Sequence, residues 1–230
     1  MRQFAVIGLG RFGCKVAETL AQKGASVIAV DTIQENVEKV SDFVTKAVRI
    51  DSTDEKALLA CGIKDVDVAV VAMGEDIESS VLTTALLKNL DVAEIVARAC
   101  STLHAQILRL VGATRVVFPE EDMGIRVANS ILSPGVLEYI ELGAEYTLAE
   151  IEAKGECIGH TISELSLKTK YGIDVLIVKR KIIEAGEKAE ETKEKEIKVL
   201  PASHGKIQEG DIFVVVGNSK NIESFEKHMK

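Results

Sequence analysis

The sequence predicts an α/β protein: a doubly wound parallel sheet with a second, smaller α+β domain behind it. Three observations carry that prediction. An apolar run at residues 4–7 leads into a glycine-rich turn, a helical pattern and a second apolar run closed by Asp31. Short apolar runs and helical stretches then alternate as far as residue 118, the pattern of parallel strands joined by crossover helices. After Pro119 this alternation stops, and period-two stretches and a dense charge run take over.

The turn reads Gly8-Leu9-Gly10-Arg11-Phe12-Gly13, the helix after it runs to Lys23 and is stopped by Gly24, and the next strand spans 26–30. Strand, glycine turn, helix, strand and terminal acid follow the order of a Rossmann-like dinucleotide-binding unit. Gly8 permits the tight turn, Gly10 keeps a side chain out of the path of a phosphate, and Gly13 lets the helix approach the strand. The helix start offers unpaired N–H donors and a partial positive charge. Arg11 places a cation where the dipole disfavours one, so it calls for an anion, and phosphate is the natural candidate. Asp31, with Thr32 beside it, is placed to accept hydrogen bonds from ribose hydroxyls. The plainer readings are an unpaired surface arginine, a turn-forming aspartate and a Rossmann-like fold that has lost its ligand.

Further along, residues 46–50 read as a strand. The cluster Asp51-Ser52-Thr53-Asp54 caps a helix that runs to Cys61 and stops at Gly62. Residues 68–71 are continuously apolar, as in a strand buried on both faces, and Ala72-Met73-Gly74 close it. A helix over 76–90 carries Ile77, Val81, Leu82, Ala85 and Leu86 on one stripe. A fifth strand at 94–97 ends in Arg98; a helix over 101–111 stops at Gly112; a sixth strand spans 115–118.

Beyond Pro119, the acids Glu120-Glu121-Asp122 start a helix favourably against its dipole. The helix continues through Ile125, Val127, Ala128, Ile131 and Leu132 and ends at Ser133-Pro134-Gly135. Residues 136–142 are again apolar. Neither segment fits the six-strand sheet by count, so their apolar faces require the second domain or another subunit. The domains accordingly divide as 1–143, with an interface helix at 121–132, and 144–230. In the second domain 146–151 alternates as a strand, and 159–171 is a loop and helix capped by Thr161 or Ser163. Strands follow at 175–178, 198–201 and 211–216, and Asn218-Ser219 cap a last helix to Met229. The mixed charges of 184–198 read as a solvated hairpin or a short helix.

Composition narrows the function. The 230 residues are 47% hydrophobic but only 4% aromatic, without tryptophan, so the core is aliphatic. No apolar run approaches a membrane span, and the N-terminus runs straight into a strand with no signal-peptide pattern. A net charge of −8 argues against a nucleic-acid partner, which would need a basic footprint. Cys14, Cys61, Cys100 and Cys157 are scattered without a CxxC pair and read as small buried residues in a reducing cytosol. His104, His160, His204 and His228 show no zinc-ligand spacing.

Three stretches together resemble one family: GLGRFG at 8–13, PEEDMG at 119–124, and the small C-terminal domain with Tyr171-Gly172 and Glu209-Gly210-Asp211 each before a strand. The chain resembles, over nearly its whole length, the cytosolic regulatory subunits of Ktr/Trk potassium uptake systems, built from an RCK N-terminal and an RCK C-terminal domain. It is closer to the KtrA type, with one such pair, than to the TrkA type, which carries the pair twice. The resemblance implies a nucleotide-sensing subunit that gates a membrane-embedded potassium channel or transporter through the shape of a ring. The ring is an octamer built as a tetramer of dimers, cytoplasmic and peripheral on the inner face of the membrane. It implies ATP, ADP or NAD(H) as ligand, with Arg11 facing the phosphates, Asp31 on the ribose, Asp51 and Ser52 beside the adenine, Ala72-Met73-Gly74 beneath the nucleotide and Arg98 near the phosphates. It places Glu120 toward a neighbouring subunit's site, acting through a bridging cation. Some relatives bind cyclic di-AMP in the C-terminal domain, and Thr161, Ile162, Lys168, Lys170 and Pro201 fall in comparable places. Two features depart from the family: Ile50 replaces a glycine common before the Asp51 position, and the charged insertion near Glu184 is atypical.

Other classes are weaker. The alternative is an NAD-dependent oxidoreductase of a small substrate, but the Tyr-x-x-x-Lys pair of one such class is absent: Tyr139, Tyr146 and Tyr171 are followed four residues on by Gly143, Glu150 and Val175. A redox-sensing repressor would need a basic DNA-binding helix, which this acidic chain does not offer. The expectation is a regulatory binding protein and not an enzyme.

Overall fold

A computed structural model describes residues 2–132, 136–143, 145–184, 193–199 and 205–228, and its contacts divide the chain into two units, Met1–Asp122 and Met123–Lys230. The first unit contains β1 (Gln3–Ile7), α1 (Arg11–Gln22), β2 (Ser26–Asp31), α2 (Gln34–Ser41), β3 (Lys46–Arg49), α3 (Glu55–Cys61), β4 (Val68–Val71), α4 (Ile77–Asn89), β5 (Glu94–Arg98), α5 (Thr102–Leu110) and β6 (Arg115–Val117). Its six strands form one parallel sheet in the order β3-β2-β1-β4-β5-β6, as expected of a doubly wound sheet.

The pleat explains why these strands are apolar throughout. Successive side chains alternate between faces, so Ala5, Ile7, Val30 and Val71 enter one core while Val6, Ala29 and Val70 enter the other. Ala17 of α1 and Val37 and Val40 of α2 cover the second face; Leu58 of α3, Leu87 of α4 and Leu108 of α5 cover the first. Side-chain caps fix three helix starts: Asp54 accepts from the N–H groups of Lys56 and Ala57, Asp76 from Ser79, and Ser101 from His104.

Two local expectations are corrected. α2 carries no mark in the sequence, because it is short and its N-cap residue, Ile33, makes no side-chain cap. The buried face of α4 is Ser80, Thr83, Thr84 and Leu87, whereas Ile77 and Leu82 of the expected stripe are exposed. Small hydroxyl side chains let the helix lie close to the sheet. Thr83 pairs with Ser52 and Thr84 donates to the Ser80 carbonyl, which offsets their desolvation.

Helix α6 (Pro119–Leu132) opens with the three expected acids, and the division between units falls within it, at Asp122/Met123 rather than at residue 143. The reason is β7 (Val136–Glu141), which pairs antiparallel with β8 (Tyr146–Glu152) and so belongs to the second sheet. That sheet is antiparallel, in the order β10-β9-β11-β8-β7, with β9 (Asp174–Glu184), β10 (Lys193–Val199) and β11 (Ile212–Asn218). The charged run therefore begins at the end of β9 and contributes most of its partner strand β10, and strand character resumes at Lys193, earlier than expected. Its residues 185–192, and Pro201, lie outside the described residues. The expected helix over 159–171 is two short ones, α7 (Ile162–Leu165) and α8 (Leu167–Tyr171), broken where Ser166 takes a left-handed φ of 50°. A capping box between Thr161 and Glu164 starts the first. Helix α9 (Ser219–His228) packs Ile222 and Phe225 against Ile151 and Phe213. In the same unit Arg180 grips the buried carboxylate of Asp211 through Nε (2.8 Å) and Nη2 (2.7 Å).

Candidate functional site

In the first unit, the strand order reverses direction between β1 and β4, and a crevice opens beyond their C-terminal ends, where such sheets take ligands. The glycine turn forms one wall. Gly8 has φ +90°, and a Cβ there would stand 2.7 Å from Met73 Cγ. A Cβ on Gly13 would stand 1.8 Å from the Gly8 carbonyl oxygen, so this glycine closes the turn on itself. Gly10 is different: a Cβ would meet nothing within 4 Å, because the residue faces open space. Gly10 also starts α1 without a side-chain cap and without an acid in the first turn. The first N–H groups of that helix thus face the crevice without a competing anion.

The carboxylate of Asp31 spans the turn and the next loop. Oδ2 accepts from the Leu9 N–H at 2.6 Å, and Oδ1 from the Ile33 N–H at 2.8 Å. Oδ2 also accepts from Asn36 Nδ2 at 3.4 Å, while Oδ1 keeps a further lone pair. Across the crevice, Arg98 of β5 donates through Nη2 to Glu120 Oε1 at 2.5 Å. Its guanidinium lies against Gly74, where a Cβ would come within 2.8 Å of Cζ, and its Nε is buried without a partner.

The resulting cleft of about 610 Å³ gathers Gly8, Gly10, Arg11, Phe12, Asp31, Ala72, Met73, Gly74, Arg98 and Glu120, all expected from sequence. This volume lies within the range of small-ligand sites. Other expected residues stand elsewhere. Gly13 lies beneath the turn. The Thr32 carbonyl accepts from Arg49 Nε at 3.0 Å. Asp51 binds the N–H and hydroxyl of Thr53, and those bonds hold its carboxyl below the usual carboxylate range. Ser52 is buried, with its hydroxyl 2.7 Å from that of Thr83.

Sequence reasoning missed Ile33, Glu75 and Asp76, which also line the cleft. Their signal was adjacency: they follow Asp31 and Gly74 at the ends of β2 and β4. A second cleft of about 520 Å³ shares Gly74, Glu75, Arg98 and Glu120 with the first and continues past Cys100, Thr102 and Phe118. Cys100 is exposed, contrary to the expectation that all four thiols are buried, because it lies past the end of β5.

Among the described residues no cluster of three or more His, Cys, Asp or Glu is arranged to hold a metal ion, and the Glu120 carboxylate is engaged by Arg98. No described helix is long and apolar enough to cross a membrane. In the second unit, a hollow of about 240 Å³ is lined by residues including Ile162, Ser163 and Lys168.

Comparison with known proteins follows the same division. The TrkA-N domain model matches residues 4–119 and the TrkA-C domain model residues 146–230. The chain is 38% identical over 228 residues to Ktr system potassium uptake protein C of Bacillus subtilis (strain 168), covering 99% of this chain and 97% of that one. It is 37% identical over 225 residues to Ktr system potassium uptake protein A of the same organism, covering 98% and 96%. The Vibrio alginolyticus Ktr system potassium uptake protein A is 34% identical over 218 residues, covering 94% and 92%. Among solved structures, the GsuK channel superposes with a TM-score of 0.66 at 16% identity, covering 99% of this chain and 39% of that chain. The GsuK channel bound to NAD superposes at 0.62, also at 16% identity, covering 100% and 39%. At such identities the likeness to GsuK is one of fold, and this chain spans about two fifths of that channel's length.

Proposed function

The chain belongs to the family of Ktr system potassium uptake proteins with TrkA-N and TrkA-C domains, and from that membership we propose that it is a nucleotide-sensing regulatory subunit of a potassium uptake system and not an enzyme. One observation carries the nucleotide part. The uncapped start of α1 opens at Gly10 into a cleft that also presents Asp31 and Arg98. Helix N–H groups and arginines suit phosphates, and a carboxylate at the end of β2 suits an unphosphorylated ribose. The ligand on this reading is ATP, ADP or NAD(H). A similarly folded channel in complex with NAD supports the dinucleotide among these.

Gly8, Gly10 and Arg11 then hold the phosphates, Asp31 and Thr32 the ribose, and Met73 and Gly74 the floor. Since Ser52 is committed to Thr83, the adenine edge falls to Asp51 and the backbone beside it. Among the described residues, side chains do not form a cation cage. A bridging cation at Glu120 would need phosphate oxygens as well, and Glu120 would first have to leave Arg98.

Regulation needs assembly and a partner. Met123, Ile125, Val127, Ile131 and Leu132 of α6 are each at least half exposed; Met123, Val127 and Ile131 share one face, suited to a second copy and, through it, to a ring. The partner is the membrane-embedded potassium channel or transporter, which places the chain at the cytoplasmic face. The hollow by Lys168 is smaller than a typical small-ligand site, so cyclic di-AMP there would need two copies.

The test is isothermal titration with ADP, ATP and NADH of wild type and Asp31→Asn. Asparagine keeps an acceptor for the Leu9 N–H and removes the charge. Loss of charge-assisted bonds worth about 1.5–3 kcal/mol should weaken all three ligands roughly 10- to 150-fold. Undiminished affinity, or no binding by wild type, overturns the assignment.

A further inference from the structure

The second cleft is lined by Cys100, a thiol that nucleotide binding does not use and that pairs with the buried His104 behind it. Cys100 is exposed and lies immediately before Ser101, the cap of α5. Its Sγ is 3.4 Å from Nδ1 of His104, one turn into that helix. His104 is only 1% exposed, and its Nε2 has no hydrogen-bond partner among the described residues. The Cys100 backbone N–H also points at Nδ1, at 3.4 Å. That geometry assigns the lone pair to Nδ1 and the proton to Nε2. A buried N–H without an acceptor is a cost that packing alone does not explain. What the arrangement secures is a lone pair aimed at an accessible thiol. Burial lowers the imidazole pKa, so the resting ring is neutral and its Nδ1 lone pair is available.

The other thiols offer a contrast. Cys61 and Cys157 are buried and Cys14 is half-buried, and burial pushes all three thiol pKa values up. Thiols so placed react slowly, whereas exposed ones beside a histidine at a helix start are the reactive kind.

We propose that Cys100 is a site of reversible modification by a small-molecule disulfide, with the adduct seated in the second cleft beside Arg98 and Glu120. Sγ passes its proton to Nδ1 and attacks one sulfur of the disulfide. A new Sγ–S bond forms as the disulfide S–S bond breaks. Cys100 is oxidised; the departing sulfur is reduced and leaves as a thiol, carrying the proton relayed by His104. Excess thiol reverses the step. The cleft's volume of about 520 Å³ accommodates the adduct, and its charged lining of Glu75, Glu120 and Glu121 against Arg98 favours a cationic reagent. The adduct would also crowd the Arg98–Glu120 pair, a consequence that rests on the nucleotide reading above.

The experiment treats the reduced, full-length protein with cystamine under native conditions, followed by intact-mass measurement and peptide mapping. The expected result is one cysteamine adduct, at Cys100, removed by dithiothreitol and formed about tenfold or more faster than at Cys14, Cys61 or Cys157. Cys100→Ser should abolish it, and His104→Gln should slow it severalfold in a chain whose circular dichroism is unchanged. If His104→Gln fails to fold, the wild-type rate is set against that of a short cysteine peptide at neutral pH, which Cys100 must exceed. Labelling spread evenly over the cysteines, a rate indifferent to His104→Gln in a folded chain, or a rate no higher than the peptide's would overturn the proposal. A parallel ADP titration separates the two readings. Absent ADP binding with an intact adduct removes the nucleotide reading alone, and ADP binding without an adduct removes this inference alone.

Discussion

Two glycines three residues apart in the same turn, Gly10 and Gly13, should fail in opposite ways when each is replaced by alanine. At Gly13 the new Cβ would lie 1.8 Å from the Gly8 carbonyl oxygen and 3.1 Å from Ala72 Cβ. The nearest atom is backbone, so no side chain can swing aside. The turn must open or α1 must move, and overpacking of this kind costs about 1–3 kcal/mol or more. At Gly10 the backbone is extended (φ −66°, ψ −172°), and nothing lies within 4 Å of an added Cβ. Alanine there gains about 0.4–1 kcal/mol through the unfolded chain and loses a similar amount as a poorer helix cap, so the net change should be within about 1 kcal/mol. The methyl group nevertheless enters the space before the first N–H groups of α1. Urea unfolding and ADP titration should therefore show Gly13→Ala destabilised by about 2–3 kcal/mol and Gly10→Ala as stable as wild type but about tenfold or more weaker in binding. A Gly10→Ala variant that binds ADP as wild type does would refute the phosphate assignment. A Gly13→Ala variant of full stability would refute the packing argument.

Three further outcomes are expected. The Arg98–Glu120 pair is partly exposed, with Glu120 at 64%, so it is worth about 1 kcal/mol at most; Glu120→Gln should leave unfolding nearly unchanged and tighten ADP about two- to fivefold by freeing Arg98, and a tenfold weakening by titration would contradict this. Asp211→Ala leaves Arg180 and the Gln208 N–H without their carboxylate and should cost about 3 kcal/mol in urea unfolding, a loss below about 1 kcal/mol counting against it. His104 has its pKa lowered by burial from the ordinary 6.5, so the unfolded chain takes up the proton first as pH falls; its stabilising effect is complete above about 6.5 and declines below it, and unfolding at several pH values should show that decline flattened in His104→Gln.

The parts of the molecule legible in sequence are those where local chemistry and tertiary environment demand the same residue. The run from Phe4 to Asp31 is one: the apolar strand, the three glycines and the terminal acid each have a local reason that the sheet then uses. α4 shows the opposite case. Apolar periodicity pointed to Ile77 and Leu82, but a close approach to the sheet favoured Ser80, Thr83 and Thr84; the two threonine hydroxyls find partners only once Ser52 and the Ser80 carbonyl are in place. β7 has no local mark that tells it to pair with β8, so its place in the second sheet was not legible. The Arg98–Glu120 contact joins residues 22 positions apart on a strand and a helix, so no spacing rule could bring them together. Glu75 and Asp76 were visible as helix-start acids, yet their place in the cleft depends on β4 standing beside β1.

On the proposed function, these placements bear on how a nucleotide could act as a switch. A ligand shifts an equilibrium only by the difference in its affinity for two states. The ribose and glycine-turn contacts are common to ADP, ATP and NAD(H), and Asp31 is already tied to Leu9 and Ile33 before any ligand arrives. Such a preorganised contact contributes affinity without selecting a state. Arg98 is different, because its guanidinium faces both Glu120 and the cleft, and its Nε lacks a partner. A phosphate that takes Arg98 must release Glu120, the second residue of α6, and the apolar face assigned to subunit contact lies on that same helix. The exchange costs only about 1 kcal/mol because the pair is partly solvated, a barrier low enough for millimolar nucleotides to overcome. The difference between nucleotides would then reside in how each phosphate chain reaches Arg98, and its mechanical output in the release of the first turn of α6.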